Sequence, residues 1–389
     1  MKILVVHSFW HARGGDWTSL STLSDALEAA GHTVIPFAMR HPDNAPSAWE
    51  GWFAPWNADA RADGVWSLRA AAAVSRLVRA HRPDVAHAHH LHRHLTPSVL
   101  GALRRLRVPT VWTLHDHELV CPTGLAHAAG DPPGAECSRC DAGFHHAVIH
   151  RCKRAALAPS AAVALEHGVH AALGVRRAAD RFLTPSRFLL DRLAARGVPA
   201  ERLRHVPNPV VAPREAPLDP SGPVVFAGRL TPEKGVEDVL AAARRLPDAP
   251  FVIAGGFGEP GGDTPRNVRY VGHLDGSALG RLIASASVVL TPSRWPENDP
   301  YAVLEPMAAG RAVVACRVGG IPEQIDHAVD GWLVEPGNPA ALASAVARLR
   351  ARPDEMVRLG TNARVRVARE RDPAHIAGRV AAIYRELIR

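Results

Sequence analysis

Phe226-Ala227-Gly228-Arg229-Leu230-Thr231-Pro232-Glu233-Lys234-Gly235 is the stretch on which the fold turns. Apolar residues run into a glycine, a proline-bearing turn follows, and helical spacing begins near Val236. A buried strand, a tight turn and a helix make the repeating unit of a parallel α/β sheet. Downstream the unit recurs. After a strand at 223–228, others are expected near 250–255, 268–272, 286–291, 311–316 and 332–334, with helices over Val236–Leu246 and Ala340–Leu349. Upstream, strands are expected near 2–8, 32–37, 84–90, 109–116, 181–185 and 203–207, with a helix over Thr18–Ala30 that stops at Gly31. Between the two series lies Asn208-Pro209-Val210-Val211-Ala212-Pro213-Arg214-Glu215-Ala216-Pro217. Its prolines continue neither a helix nor a central strand, so it reads as a linker. The expected class is α/β, with two Rossmann-like domains facing each other across a cleft. Their limits are 1–208, a linker 209–222, 223–372, and a C-terminal helix 373–389 able to pack back on the first domain. Open α/β sheets bind ligands at the C-terminal ends of their strands.

A chain of 389 residues suits two cores, and 47% hydrophobic with 22% charged residues is an ordinary globular balance. No apolar run approaches the ~20 residues that span a bilayer. The N-terminal Met1-Lys2-Ile3-Leu4-Val5-Val6-His7 reads as a first buried strand, since a signal peptide needs a longer apolar region and a cleavage site. The expected location is therefore the cytoplasm, extending to the inner membrane surface. Residues 1–208 hold 24 Lys and Arg against 17 Asp and Glu, and residues 209–389 hold 22 against 21. The basic excess of the first half fits either peripheral contact with an anionic membrane or a compositional bias, there being 43 Arg and 3 Lys. Nucleic acid is not an expected partner: aromatics are only 5%, and no basic run interleaves with them.

One glycine pattern is a decoy. Gly256-Phe257-Gly258-Glu259-Pro260-Gly261 matches a dinucleotide fingerprint, but Gly262, Asp263 and Pro265 continue the loop where that fingerprint needs a helix. More informative are Arg229 and Lys234, a fork-shaped donor and a point charge on one βα turn that together can neutralise a diphosphate. Glu297-Asn298-Asp299-Pro300-Tyr301-Ala302-Val303-Leu304-Glu305 follows the strand ending near Thr291. A helix from Tyr301 to Ala309 would put free amides at its start, Glu297 just ahead of it and Glu305 one to two turns inside. Such a pair of carboxylates can hold two separate polyols. Val318-Gly319-Gly320-Ile321-Pro322-Glu323 adds bare backbone at the same rim.

These segments, in this order, resemble the retaining family-four glycosyltransferases, also called glycosyl transferases group 1, which have the GT-B fold. That family carries strand–Gly-Arg-Leu–x-x-x-Lys-Gly, then E-x7-E, then Gly-Gly-x-Pro-Glu and an Asp/Asn-Gly turn, here Asp330-Gly331. His7 through Gly15, Gly31-His32-Thr33-Val34, Thr184-Pro185-Ser186-Arg187 and Val206-Pro207-Asn208-Pro209 extend the likeness over the first half. The resemblance implies transfer of a sugar from a nucleotide-diphosphate donor, of UDP or GDP type, to a hydroxyl acceptor. By position, Arg229 and Lys234 would clamp the diphosphate, Glu305 the ribose, and Glu297 the hydroxyls of the transferred sugar. Gly228, Asn298, Asp299, Tyr301 and Ala302 would line the donor, and Gly14 and Gly15 would allow close backbone approach. His115 resembles the family histidine that reaches the donor sugar, although a satisfied strand-end histidine is the plainer reading. Front-face attack is expected, without a catalytic metal, since no Asp-x-Asp occurs. Asn298-Asp299-Pro300 departs from the usual Gly-Phe-Gly: Pro300 removes a backbone donor and Asp299 adds an anion near the sugar. Pro306 is expected to kink its helix or make it start early. Two other readings stay open, a nucleotide-sugar epimerase of the same architecture and a basic binding protein.

Cys121, Cys137, Cys140 and Cys152 fall within an insertion spanning 121–152, the middle pair as CxxC. Four thiolates can close a structural zinc site, although free thiols and, less readily in the cytosol, disulfides are the alternatives. The insertion is expected over the acceptor half of the cleft.

Overall fold

Parallel strands buried on both faces need continuous apolar runs, and most of the twelve strands among the described residues are such runs. The computed structural model describes residues 1–11, 13–56, 64–128, 130–214, 216–256, 264–274 and 276–388. Contact density divides the chain into two units: Met1–Ala129 with Cys137–Pro209 and Pro373–Arg389, and Gly130–Glu136 with Val210–Asp372.

The first unit holds β1 (Lys2–Val6), β2 (Thr33–Phe37), β3 (Val85–Ala88), β4 (Thr110–Thr113), β5 (Arg181–Thr184) and β6 (Leu203–His205). Its helices are α1 (Gly14–Ala29), α2 (Leu68–His81), α3 (Ser98–Arg105), α4 (His145–Ile149), α5 (Leu157–Ala172) and α6 (Arg187–Ala195). The sheet runs β2-β1-β3-β4-β5-β6, parallel throughout. Chain order reverses between β1 and β3, so the loops after those two strands part and leave a crevice at their C-terminal ends.

The second unit holds β7 (Val224–Ala227), β8 (Phe251–Ala254), β9 (Val268–Tyr270), β10 (Val288–Thr291), β11 (Ala312–Cys316) and β12 (Trp332–Val334). Between and after them come α7 (Val236–Arg245), α8 (Gly276–Ser285), α9 (Tyr301–Ala308), α10 (Ile321–Gln324), α11 (Pro339–Arg350) and α12 (Pro353–Glu370). Sheet order is β12-β11-β10-β7-β8-β9, which places the reversal between β7 and β10. All five residues of β11 are buried, as a central strand covered on both faces requires. The glycine pattern beginning at Gly256 follows β8, and its residues 257–263 lie outside the described residues.

A last helix, α13 (Pro373–Ile388), belongs to the first unit and packs Ile376, Val380 and Tyr384 into one cluster with Leu20, Leu23 and Leu27 of α1. The Tyr384 hydroxyl meets His87 Nδ1 at 2.6 Å. The proline-rich stretch after Pro209 lies on the second unit, tied down by arginines. Prolines lack an N–H to pair with, so this segment offers mainly carbonyls. Arg311, 1% exposed, donates to the carbonyls of Pro217 and Ala284, both at 3.1 Å, of Ala309 at 3.0 Å, and of Ala216. Arg364 takes Pro213 at 3.0 Å. Seven residues of the cysteine-bearing insertion, Gly130–Glu136, also belong to the second unit, where the Gly134 amide donates to the Arg294 carbonyl at 2.6 Å.

Arg311→Met keeps an unbranched apolar stem but removes the guanidinium, stripping several carbonyls of their donor. At about 1–3 kcal/mol for a buried group left unpaired, the unfolding transition of the second unit is expected to weaken by roughly 2–4 kcal/mol. Urea denaturation followed by tryptophan fluorescence measures this, and a change below about 0.5 kcal/mol would show the carbonyls to be satisfied by other means.

Candidate active site

Lys234 and Glu297 stand on either side of the β7/β10 reversal and meet there. Lys234 Nζ lies 2.6 Å from Glu297 Oε1. The same oxygen accepts from the Ser293 hydroxyl at 2.7 Å and from the Trp295 indole N–H at 2.9 Å. The Trp295 ring also lies beneath the ammonium, 5.1 Å from Nζ to the ring centre. Three donors thus converge on one oxygen of a carboxylate that is 5% exposed. Oε2 has no hydrogen-bond donor among the described residues and keeps its full accepting capacity.

The backbone of Glu297 is fixed by the loop after β11. The Gly320 amide donates to the Glu297 carbonyl at 2.8 Å. Gly319, at φ +58°, packs so closely that a Cβ would come within 2.2 Å of that carbonyl oxygen and 2.6 Å of the Glu297 nitrogen. The bare backbone expected at the rim therefore serves to seat Glu297.

Arg229 follows Gly228 at the end of β7 and is half exposed, with a 3.6 Å contact to Glu233. It is the least committed cation of the two. The Asp299 anion, expected beside the sugar, is instead neutralised within the unit. Its Oδ2 takes Arg371 Nη1 at 2.7 Å and its Oδ1 takes the Gln324 amide at 2.8 Å, all buried. Asn298 and Tyr301 are buried beside it.

Pro300 caps α9, which starts at Tyr301 and runs on through Pro306. Pro306 cannot donate to the carbonyl four residues back, that of Ala302, and the Thr291 hydroxyl does so at 3.1 Å. With that substitute donor from β10, the helix runs unbroken through Pro306 and starts at Tyr301, not earlier. Glu305 sits on this helix, and burial pushes its carboxyl up to about 7.

The first unit carries Gly14, Gly15 and His115. Gly14 and Gly15 open α1, with no side chain capping its first amides. Gly14 has φ +86°, and a Cβ would lie 2.7 Å from Asp16 Oδ1. Asp16 in turn meets His7 Nε2 at 3.0 Å. Burial opposes ionisation of Asp16, but the hydrogen bond to His7 and the pull of His7, His90 and His115 outweigh it and hold the carboxyl well below its usual range. His115 follows β4, and its Nε2 lies 2.9 Å from His89 Nδ1. Burial, with His7 and His90 nearby, brings His115 down to about 4 against the pull of Asp16, so it is neutral at pH 7. His90 is opposite in character: burial is overcome by Glu118, 3.4 Å away, with Asp116 and Asp16, and it rises to about 9. A neutral histidine pair and an imidazolium–carboxylate pair thus adjoin the β1/β3 crevice.

His7, Asp16, His89, His90, Ser293 and Trp295 were not among the residues expected from sequence. The run His87-Ala88-His89-His90-Leu91-His92-Arg93-His94 was a visible signal, whereas nothing in the spacing of Ser293 and Trp295 marks them as partners of Glu297. Cys121, Cys137, Cys140 and Cys152 line one pocket with His127 and His146, and none is in a disulfide. Burial and the three neighbouring thiols push Cys140 up to about 12.

Comparisons with known proteins place the chain in a family. The family model described as Glycosyltransferase Family 4 matches residues 13–212, just over half the chain. The chain belongs to glycosyltransferase family 4. A second model, Glycosyl transferases group 1, matches residues 217–366. Among relatives, an alpha-maltose-1-phosphate synthase of Mycolicibacterium smegmatis is 33% identical over 44% of this chain and 50% of its own length. An amylovoran biosynthesis glycosyltransferase of Erwinia amylovora is 31% identical over 53% of this chain and 56% of its own. An archaeal glycosyltransferase of Methanocaldococcus jannaschii, itself uncharacterized, is 35% identical over 32% of this chain and 35% of its own. The chain thus spans between about a third and just over half of the curated relatives it matches. Of solved structures, sucrose-phosphate synthase from Thermosynechococcus elongatus superposes with a TM-score of 0.71 at 20% identity, covering 99% of this chain and 98% of that one. Anabaena HepE in complex with UDP gives 0.68 at 18%, covering 99% and 100%. Both support the GT-B fold of this family-4 chain. No helix among the described residues is long and apolar enough to cross a membrane.

The Glu305 carboxyl gives a pH test of this family-4 site. An unfolded chain ionises it near 4.5, whereas the folded chain keeps the proton to about 7. As pH rises from 4.5 to 7 the unfolded state releases a proton that the folded state retains, so stability falls through that window and the loss is complete above it. Glu305→Gln is expected to match wild type in thermal unfolding below pH 4.5 and to exceed it above pH 7. Parallel pH profiles for the two proteins would contradict the burial of this carboxyl.

Proposed function

We propose that the protein transfers a sugar from a nucleoside-diphosphate donor to an acceptor hydroxyl, with retention at the anomeric carbon. The observation that carries the reading is the Lys234–Glu297 pair at the β7/β10 reversal, with one carboxylate oxygen saturated by three donors and the other unspent. In this reading residues 223–372 take the donor and residues 1–208 the acceptor. Oε2 of Glu297 accepts from the hydroxyls of the transferred sugar. Arg229 is the mobile half of the diphosphate clamp, and Lys234 is the fixed half, oriented by Glu297 until phosphate oxygens share it. Glu305 accepts from the ribose hydroxyls, which favour its ionised form. The amides around Asn298, Asp299, Tyr301 and Ala302, at the start of α9, face negative charge with their partial positive end. His115, neutral, is suited to a hydrogen bond with a sugar hydroxyl, and Gly14 and Gly15 to close approach of the backbone.

In the transfer itself, the bond from the anomeric carbon to the diphosphate oxygen breaks and a bond to the acceptor oxygen forms on the same face. The acceptor proton passes to the departing diphosphate, whose charge the two cations stabilise. UDP is the first nucleotide to test, since Anabaena HepE is known with UDP and with UDP-glucose; GDP is the second. An acceptor presented on an anionic membrane surface would suit the basic first half.

Calorimetric titration with UDP, GDP, ADP and TDP tests the donor. One nucleotide is expected to bind at micromolar strength, with Arg229→Ala weakening it roughly 10–100-fold. Glu297→Gln is expected to leave nucleotide affinity within a few-fold and to cut sugar transfer by about 100-fold or more. Failure of all four nucleotides to bind would remove the reading.

The four cysteines fit a structural zinc: their donor set is the one zinc takes in closed sites, and a cation among them would relieve the crowding that raises Cys140. Chelation, or the double substitution Cys137→Ser with Cys140→Ser, is expected to release one zinc and to make the 121–152 segment sensitive to protease. Unchanged zinc content and unchanged cleavage would assign the thiols no metal.

A further inference from the structure

Apart from the donor loops, the first unit buries polar atoms that have nothing to bond. Glu166 and His170 lie four residues apart on α5 and so share a face, while His92 comes from the loop after β3. All three are more than nine-tenths buried. Both nitrogens of His92, Nδ1 of His170 and Oε1 of Glu166 lack a hydrogen-bond partner. One ligand atom from each residue lies within 4.8 Å of the other two. An unpaired buried polar atom costs about 1–3 kcal/mol, so three such atoms, one from each residue and within 4.8 Å of one another, call for a common occupant.

The far sides of these groups are tied down. His170 Nε2 donates to the Val65 carbonyl at 2.7 Å, which fixes the proton there and leaves Nδ1 a bare lone pair. A carbonyl behind the imidazole is the usual support of a metal-bound histidine. The backbone amide of Arg93 lies near the Glu166 carboxylate and favours its ionised form. His92 Nδ1 stands 3.9 Å from Glu166 Oε1, too far for a hydrogen bond. His92 and His170 also border a small cavity, together with Glu118 and His167.

We propose that His92, Glu166 and His170 bind a divalent transition-metal ion of the zinc class, and that the ion pins α5 to the loop after β3. Two imidazoles and a carboxylate form a nitrogen–oxygen set that zinc accepts readily. Bonds of about 2.0–2.1 Å draw such ligand atoms to roughly 3.3 Å of one another, a contraction that side-chain rotation provides. The pinned loop also carries His89 and His90, so the ion stiffens the segment that orients His115. The site stands apart from the cysteine cluster, and it does not depend on the transfer reaction. A single bound water is the rival occupant.

The probe is Zn²⁺ alone. Wild-type protein, Glu166→Gln, His170→Gln and the double variant Cys137→Ser/Cys140→Ser are stripped by chelation, dialysed against Zn²⁺ and assayed for zinc per chain. The Glu166 and His170 variants are each expected to hold one equivalent fewer than wild type, and the cysteine variant to keep that equivalent. Equal zinc in wild type and in both histidine-site variants overturns the proposal. If those variants do not fold, anomalous diffraction at the zinc edge from wild-type crystals decides. A peak among the three side chains supports the site, and solvent density there without anomalous signal overturns it.

Discussion

A carboxylate that gathers a lysine, a serine and an indole on one oxygen is held by three different parts of the second unit, and much of that unit's geometry follows from it. Lys234 comes from the turn after β7, Ser293 and Trp295 from the loop after β10, and the peptide of Glu297 is seated on Gly319 and Gly320 after β11. These strands are neighbours in the sheet, β11-β10-β7, so their C-terminal loops are brought together by sheet order alone. Burying the Lys234–Glu297 pair costs desolvation that only several simultaneous hydrogen bonds offset. Removing any one of them would leave a charge short of partners in a nearly dry place. The pair therefore orients both groups before any ligand arrives, and preorganisation of this kind lets a site stabilise developing charge without rearranging.

The same economy shows where the sequence breaks a local rule. Pro306 inside α9 orphans the Ala302 carbonyl, and Thr291 from the adjacent strand supplies the donor. Asp299 would be an intrusive anion in a donor loop, and Arg371 with Gln324 turns it into a strut. The prolines after Pro209 leave carbonyls without matching amides, and the guanidinium of Arg311 collects them. In two of the three cases the compensating residue is an arginine that lies 72 or more residues away along the chain. A chain with 43 Arg and 3 Lys has many such forked donors to place.

That separation explains what was legible. Each of the twelve strands falls within the segment expected for it, because a parallel strand buried on both faces writes its pattern locally, in three to five residues. The edge strands β6 and β9 are the least buried of the twelve. The end of α1 near Gly31 was legible for the same reason, while its start was not: the helix begins at Gly14, where glycines carry little propensity signal. Glu297, Glu305, Arg229 and Lys234 stood out by spacing along the chain. Their partners did not, since Lys234 and Glu297 are 63 residues apart and Asp299 and Arg371 are 72. Pairings at that range are set by sheet order, which no local pattern encodes. The pairing of Asp299 with Arg371 and Gln324 was out of reach of the sequence on this account.

The first unit faces a different physical problem, namely how to bury many titratable rings around one crevice without paying for as many charges. The structure divides them by partner. Where a carboxylate is in reach, as Glu118 is for His90, the ring is held charged and the pair is neutral as a whole. Where none is close enough, as for His87 and His115, burial keeps the ring neutral, and it bonds a hydroxyl or another imidazole. His92 fits neither class. It lies between Glu118 and Glu166 at 3.9 Å from each, beyond hydrogen-bonding reach of either, and both of its nitrogens are unpaired. A ring so placed costs more than its neighbours unless something sits between it and a carboxylate, and between His92 and Glu166 a cation is the occupant whose charge the carboxylate would welcome.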